Sequence, residues 1–417
     1  MRKIIFLMMQ SILFFMIVAA IYGSIEYYGW QAVKTAFKSY NVNTLKWVYW
    51  GFSLGLIALF MLYRPLLYKY LPRSISSYMG AVMVIVLFAK LIVVLFLLPE
   101  DLIRLMRTAG AKVSSSPAAD GSISRSVFLS RMALITAAIP AGTLIYGIVA
   151  NAYNYQFRKV KVKAPNLPEA FNGFRIIQLS DIHSGSFTRK EPIKEVVERI
   201  NALNADLILF TGDLVNNVAD EMDEYKELFG QLRAKHGVMS VTGNHDYGDY
   251  VPWETMEAKQ ANFKKFMDTH HGMGWDLLMN TNRVLERNGQ KIAIIGVENC
   301  GGGRFKHYGN MDVAYAGTEN IPFKVLMSHD PSHWDREVRP KYKDIDLMLS
   351  GHTHGAQFGV ENKWLKWSPS EYMYKQWAGL YKEGAQHLYV NRGFGFLFYP
   401  GRVGILPEVT EITLEKA

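Results

Sequence analysis

Phe174-Arg175-Ile176-Ile177-Gln178-Leu179-Ser180-Asp181-Ile182-His183 is an apolar run that stops at two metal-ligand side chains two residues apart. The run from Phe174 to Leu179 has the length and bounds of a buried strand, so Asp181 and His183 stand where the strand releases the chain into a loop. The same device recurs downstream in Phe210-Thr211-Gly212-Asp213, Val241-Thr242-Gly243-Asn244-His245-Asp246, Leu326-Met327-Ser328-His329 and Leu349-Ser350-Gly351-His352-Thr353-His354. Working outward, residues 193–203 carry apolar side chains at helical spacing, and short apolar runs follow at 207–210, 238–241, 292–297, 323–327 and 345–349. Strands alternating with helices predict an α/β layered domain. In such sheets the loops beyond the strand ends converge in one crevice while the strands hold them rigid. Asp181, Asp213, Asn244, His329 and His352 are therefore expected to meet in space.

Seven ligand-type residues are enough for two metal ions: Asp181, His183, Asp213, Asn244, His329, His352 and His354. Oxygen ligands mixed with imidazole suit Mn, Fe or Zn, and the lack of thiolates other than Cys300 disfavours copper(I) or an iron–sulfur cluster. Two neighbouring cations need a shared anion, for which Asp213 is the natural carboxylate. Asp181 and His183 can turn to one ion, His352 and His354 can reach toward different ions, and Asn244 offers a neutral carbonyl oxygen.

This ordered set of D-x-H, G-D, G-N-H-D, a lone histidine after a strand and G-H-x-H resembles the calcineurin-like metallophosphoesterases. Carried over residue by residue, the resemblance implies Asp181, His183, Asp213 and His354 on one ion, and Asp213, Asn244, His329 and His352 on the other. It makes His245 the unligated histidine beside the scissile phosphate, acting on the leaving oxygen, and Asp246 its orienting partner. Leu388-Tyr389-Val390-Asn391-Arg392-Gly393 and Pro407-Glu408-Val409-Thr410-Glu411-Ile412 are similar to the membrane-linked branch, the transmembrane proteins with a metallophosphoesterase domain. Ala356 stands where that branch often has a glycine. With a membrane anchor ahead of the domain, the expected reaction is hydrolysis of a phosphodiester or pyrophosphate bond in a lipid-linked substrate; UDP-2,3-diacylglucosamine hydrolysis is a named activity of the family and fits only a domain that faces the cytoplasm. The alternatives are a metal-binding scaffold without turnover, and a phosphodiesterase acting on a non-lipid substrate outside the cytoplasm.

The first part of the chain differs in kind. Four long apolar stretches, residues 4–22, 47–63, 75–98 and 132–150, have about the length that crosses a ~30 Å hydrocarbon layer as a helix. The expected organisation is a four-helix membrane anchor over residues 1–157 and a layered α/β/β/α metallophosphoesterase domain over 158–417. Trp47, Tyr49, Trp50, Tyr63 and Tyr68 fit interfacial aromatic belts. Lys90 lies inside the third stretch, where it either marks a pathway or snorkels to a headgroup, the second being the reading adopted. The formal charge of +9 contains no long basic run, and the tightest cluster, Arg158 to Lys163, follows the last stretch, so membrane lipids rather than nucleic acid are the expected partner. One cysteine excludes an intrachain disulfide.

The expected address is a cytoplasmic membrane, inner or plasma. Lys and Arg number nine on the side of the N-terminus and eight on the other, which leaves the side open. Residues 124–129 are either a twin-arginine export signal with its second arginine replaced by serine or a chance match in a Ser-rich loop expected over 107–126. Asn299 to Arg304 reads as a glycine-rich turn, and the Trp- and Tyr-rich segment 363–381 reads either as a membrane-facing surface or as a packed loop. His270, His271, His307, His333 and His387 are expected at the surface or behind the site.

Overall fold

The computed structural model describes residues 2–62, 73–113, 127–303 and 305–417, so Tyr63, Tyr68, Arg304 and the start of the export-like segment lie outside the described residues. The chain forms two compact units, Met1–Ile145 and Tyr146–Ala417.

The first unit contains α1 (Arg2–Ala36), α2 (Val42–Leu62), α3 (Arg73–Val113) and α4 (Val127–Tyr146), one helix over each expected apolar stretch. Among the described residues, Ile75–Gly110 and Val127–Asn151 are long and apolar enough to cross a membrane. The Asn41 side chain starts α2 by accepting from the backbone N–H groups of Asn43 and Thr44, which would otherwise lack helical partners. Ala32, Ala133 and Ala137 are buried with Val93 and Leu97, small residues that let helices approach closely. α3 continues through Pro99 to Val113, so residues 107–113 are helix rather than the expected loop.

Lys90 does not snorkel. Its Nζ lies 2.6 Å from Glu26 Oε1 and 2.5 Å from Ser53 Oγ, and Glu26 also accepts from Ser53 at 2.9 Å and from Tyr49 at 3.0 Å. Tyr49 therefore belongs to this polar cluster rather than to an aromatic belt. The sequence pattern gave the charge of Lys90 but not its partner, because Glu26 sits beyond the first apolar stretch and meets Lys90 only through the packing of α1 on α3.

The second unit opens with one π-helical turn, Gly147–Asn151, that prolongs α4. One six-stranded sheet runs β1 (Gln156–Ala164), β14 (Glu408–Lys416), β2 (Arg175–Leu179), β3 (Leu207–Phe210), β4 (Val238–Ser240), β5 (Trp275–Leu277). The other runs β12 (Gly379–Glu383), β13 (Gln386–Val390), β9 (Leu347–Ser350), β8 (Lys324–Met327), β7 (Gln290–Gly296), β6 (Thr281–Arg287), and β10 (Val360–Glu361) pairs with β11 (Lys366–Trp367) as a separate hairpin. β2 to β5 are parallel, as are β7, β8, β9 and β13.

Alternation along each strand sorts the apolar side chains into three cores. Ile176, Leu207, Leu209, Val325, Met327, Leu347 and Leu349 meet between the two sheets. Ile177, Ile208 and Phe210 face the other way, onto Ile193, Val196, Val197 and Ile200 of α5 (Glu191–Ala202), while Leu326 and Met348 pack on Trp334 and Val338. The layers are therefore α/β/β/α, as the sequence predicts. Gln178 crosses the middle layer, donating from Nε2 to the Ser350 carbonyl at 2.9 Å and to Thr211 Oγ1 at 3.2 Å, which ties the two sheets together beneath their ligand-bearing ends.

Replacing Lys90 by Met should lower the stability of the helical unit by about 2–3 kcal/mol, somewhat under the usual 3–5 for breaking a buried pair, since Glu26 keeps its hydroxyl donors Tyr22, Tyr49 and Ser53. Glu26→Gln with Lys90→Met should recover most of the loss. The dodecyl sulfate fraction that unfolds the protein in mixed micelles reads both, and an unchanged midpoint for the single variant would refute the pairing.

Candidate metal centre

Each candidate ligand leaves a strand end. Asp181 and His183 follow β2, Asp213 follows β3, Asn244 follows β4, His329 follows β8, and His352 and His354 follow β9. The chain must turn sharply there, and Asp181, His183, Asp213, His352 and His354 all adopt left-handed φ between 48° and 70°. Such backbone costs non-glycine residues of order 1–3 kcal/mol each and persists where the surroundings fix it. Here the fixing bonds are visible. Asp181 N–H donates to the Gly212 carbonyl at 2.9 Å, His183 N–H to the Asp213 carbonyl at 3.1 Å, and Gly351 N–H to the His329 carbonyl at 3.0 Å.

The side chains gather into two groups, Asp181, His183 and His354 in one and Asp213, His329 and His352 in the other, and the ligand atoms of each group lie within 4.8 Å of one another. His354 Nε2 is 3.2 Å from Asp181 Oδ1 and 3.0 Å from His183 Nε2; His352 Nδ1 is 3.3 Å from His329 Nε2. Asp213 touches both groups, with Oδ2 3.1 Å from His329 Nε2 and 3.6 Å from His183 Nε2. Its Oδ1 accepts from the His245 N–H at 2.9 Å. All six side chains are buried or nearly so.

These residues fit a pair of divalent cations. Imidazole nitrogens and carboxylates that converge in a buried space without enough protons to link them are a donor set awaiting a cation. Asn244 Oδ1 is likewise buried and without a hydrogen-bond partner among the described residues, while its Nδ2 donates to Tyr250 at 2.8 Å. Outer contacts orient the rings, as metal-binding histidines require. His329 Nδ1 meets the Thr211 carbonyl at 2.7 Å, and His352 Nε2 meets the Tyr374 hydroxyl at 2.7 Å. Backbone space is also reserved: a Cβ at Gly351 would fall on Ser180 Oγ and the Asp181 carboxylate, and one at Gly243 on Asp213 Oδ1.

One expectation changes. Asp246 does not orient the His245 ring. Its carboxylate accepts from the N–H groups of Gly243 at 2.7 Å, Leu214 at 2.9 Å, Asp213 at 3.0 Å and Val215 at 3.4 Å, so it fixes the loop that presents Asp213. The ring partner of His245 is the Asn216 carbonyl, 2.6 Å from Nδ1. Of the other histidines, His270, His333 and His387 take the buried one of their two expected places, His270 on Ser240 and His333 between Ser328 and Glu337. The described part of the glycine-rich segment is a turn, with Gly302 N–H donating to Asp330 at 2.9 Å.

Arg402 escaped sequence reasoning. Fully buried, it donates to the carbonyls of Arg392 at 2.6 Å and Gly393 at 3.1 Å and to that of Gly395, and its Nη2 lies 3.3 Å from His354 Nδ1. Burial pulls it down to about 10, so it stays charged at neutral pH beside the Asp181 group. No periodicity or spacing singles out one arginine after Pro400-Gly401.

The electrostatics divide the histidines. Burial drives His183 well below its ordinary range and His352 down to about 4, leaving both neutral. Burial also opposes charge on His329, but the Asp213 carboxylate outweighs it and lifts His329 to about 10. Burial opposes charge on Asp181 and Asp213 too, and the facing imidazoles, His354 and His329 foremost, hold both carboxyls below their usual range.

The family model described as calcineurin-like phosphoesterase matches residues 174–356, and one described as probable calcineurin-like phosphoesterase, transmembrane domain, matches residues 9–152. The chain is 32% identical over 263 residues to the uncharacterized metallophosphoesterase YkuE of Bacillus subtilis, a match covering 61% of this chain and 84% of the relative. It is 28% identical over 316 residues to a transmembrane protein with metallophosphoesterase domain of Danio rerio, covering 74% and 68% of the two chains. It is 27% identical over 285 residues to the UDP-2,3-diacylglucosamine pyrophosphatase LpxG of Chlamydia trachomatis, covering 55% and 81%.

A cation at His329 must displace the proton that this ring otherwise keeps up to about 10. Affinity for Mn²⁺ should therefore rise with pH by about one decade per unit through the neutral range and level off as pH approaches the His329 value. Calorimetry in two buffers of different ionisation heat should find about one or more protons released on loading, and a pH-independent affinity would refute the coupling.

Proposed function

The chain belongs to the calcineurin-like metallophosphoesterases, and from that premise we propose that it is a membrane-anchored two-metal hydrolase of a phosphodiester or pyrophosphate bond in a lipid-linked substrate. The observation that carries the two-metal reading is Asp213 Oδ2, set between His329 of one group and His183 of the other at 3.1 and 3.6 Å. Asp181, His183, Asp213 and His354 would hold one ion, and Asp213, Asn244, His329 and His352 the second. Bound there, the two ions supply Lewis acidity to the phosphate oxygens and a water acidic enough to serve as nucleophile near neutral pH.

The chain's own groups do the rest. The Asn216 carbonyl keeps a proton on His245 Nδ1, which leaves Nε2 to face the substrate. Protonated, Nε2 can donate to a phosphate oxygen as charge builds and pass its proton to the leaving oxygen as the P–O bond breaks. The Tyr250 ring, with its centroid 4.5 Å from that of His245, limits where the imidazole can swing. Asp246 keeps Asp213 in register through the backbone, so its effect on turnover runs through the position of Asp213.

A lipid-linked substrate is favoured by two independent features, the apolar helices ahead of the catalytic unit and the similarity to LpxG. UDP-2,3-diacylglucosamine is the first compound to test if the unit faces the cytoplasm. Facing outward, the same chemistry would serve a phospholipid or another phosphodiester. Impermeant thiol labelling of Ala417→Cys in intact cells, with Cys300 replaced, distinguishes the two sides.

The full-length protein, loaded with Mn²⁺ in detergent, should hydrolyse bis(p-nitrophenyl) phosphate. Asp213→Asn should lose metal and activity together, whereas His245→Ala should keep its metals by elemental analysis and lose about 10²–10⁴-fold in kcat. A metal-loaded protein without turnover on this ester or on the nucleotide-linked lipid would favour the scaffold instead.

A further inference from the structure

We infer that the catalytic unit lowers an apolar lip, made of the β10–β11 hairpin, Tyr372-Met373 and Phe398, into the headgroup layer of a lipid bilayer, so that the metal centre opens onto the membrane surface. The inference rests on the membrane-anchored reading above and adds to it the surface that meets the bilayer.

Exposure marks the lip. Trp364 is 83% exposed, Tyr372 76%, Met373 72% and Phe398 84%. Large apolar side chains so bare and so near a site mark something they meet. The hairpin tip is firmly built: Asn362 Oδ1 accepts from the N–H groups of Trp364 at 2.8 Å and Leu365 at 2.9 Å, which pushes both side chains outward. Trp367 Nε1 donates to the Tyr372 hydroxyl at 3.3 Å and so joins the hairpin to the next segment.

Continuity with the membrane-crossing helix selects lipid as the occupant. Gly359, entering the hairpin, donates to the Val403 carbonyl at 2.9 Å, and Val403 donates back to Gln357 at 2.8 Å. The neighbouring Arg402 N–H donates to the Gly147 carbonyl at 3.1 Å. Gly147 lies in the last turn of the apolar helix Val127–Asn151, on which Val149 is 75% exposed. Hydrogen bonds thus tie the base of the hairpin, and the loop bearing Phe398, to the end of a helix whose length and composition suit a bilayer. Composition agrees: tryptophan and tyrosine beside exposed Lys363 and Lys375 is the interfacial pattern, and Lys363 Nζ lies 4.7 Å from the Trp364 ring centroid.

The same segment reaches the metal centre. Ser368 Oγ donates to the Gly355 carbonyl at 2.7 Å, Ser370 Oγ to the Thr353 carbonyl at 3.3 Å, and the Tyr374 hydroxyl meets His352 Nε2 at 2.7 Å. One stretch of about ten residues therefore carries both bilayer-facing side chains and a partner of a candidate ligand. A phosphate at the headgroup level would reach the metals without its lipid leaving the membrane.

The test uses the full chain with Cys300→Ser, in nanodiscs of phosphatidylethanolamine and phosphatidylglycerol, carrying an environment-sensitive fluorophore on Trp364→Cys, Phe398→Cys or, at the far end of the strands, Arg233→Cys. Nitroxide lipids labelled near the glycerol should quench the first two and spare the third. Loss of quenching at both positions would overturn the inference, as would quenching that appears only after substrate is added, which would make the lip an acyl-chain groove. Shielding that vanishes at one protein per disc would overturn it in favour of a second copy of the chain. In parallel, Trp364→Glu with Phe398→Glu should cut hydrolysis of a bilayer-held p-nitrophenyl lipid phosphodiester about tenfold or more while soluble bis(p-nitrophenyl) phosphate stays within about twofold. Equal loss on both substrates would count against the lip. Failure of the unsubstituted protein on both esters would count against the phosphoesterase reading alone, with lipid quenching still deciding the lip.

Discussion

One carboxylate has to stand between two clusters of imidazoles, and most of the catalytic unit is arranged to keep it there. Asp213 Oδ2 faces His329 and His183 while Oδ1 is held by the His245 N–H. Two cations a few ångströms apart repel, and only a shared anion makes their joint residence favourable. Asp213 can serve only if its loop cannot drift, and that is what Asp246 secures through four backbone donors. The β3 loop brings Asp213, the β4 loop clamps it, and Gly243 passes close enough that no side chain would fit.

The two-sheet architecture follows from the same requirement. Ligands drawn from β2, β3 and β4 come from one sheet, and those from β8 and β9 from the other, so neither sheet alone completes a pair of sites. Gln178 bridges the sheets just below the ligand loops, where relative sliding would separate Asp181 from His354. Five candidate ligands hold left-handed backbone, a local cost that the stacked cores of the α/β/β/α sandwich offset. The strain is confined to the loops. The strands beneath them are regular and apolar, which is why the scaffold tolerates it.

Strand runs were legible because burial on both faces leaves an unbroken apolar signature, and each predicted run from 174–179 to 345–349 lies on an observed strand. Candidate ligands were legible for a related reason: a charged or imidazole side chain immediately after such a run has little structural use. What sequence could not give was anything decided by backbone carbonyls or distant partners. Asn216 contributes its carbonyl and not its side chain to His245, so residue type carries no signal. The family resemblance makes Asp246 the partner of His245, yet the turn it closes points its carboxylate at the Asp213 loop. Glu26 and Lys90 are 64 residues apart, and their pairing depends on helix packing that an apolar pattern leaves undefined. Tyr374 and Trp364 look alike in a Trp- and Tyr-rich segment, and only the fold turns one toward His352 and the other outward.

Arg402 shows how a buried charge can be kept with no carboxylate in ion-pair contact among the described residues. Its guanidinium lies among the carbonyls of Arg392, Gly393 and Gly395, in the loop after β13, and donates to all three. The charge that remains lies within electrostatic reach of Asp181. A lysine could not replace it, since one ammonium cannot reach several carbonyls in a planar fork. The backbone of Arg402 meanwhile binds Gly147, at the end of an apolar helix, and its side chain approaches His354. A single residue therefore joins the loop that closes one half of the metal centre to the segment through which the catalytic unit continues into that helix, and the position of His354 is coupled to it by covalent and hydrogen-bonded steps alone.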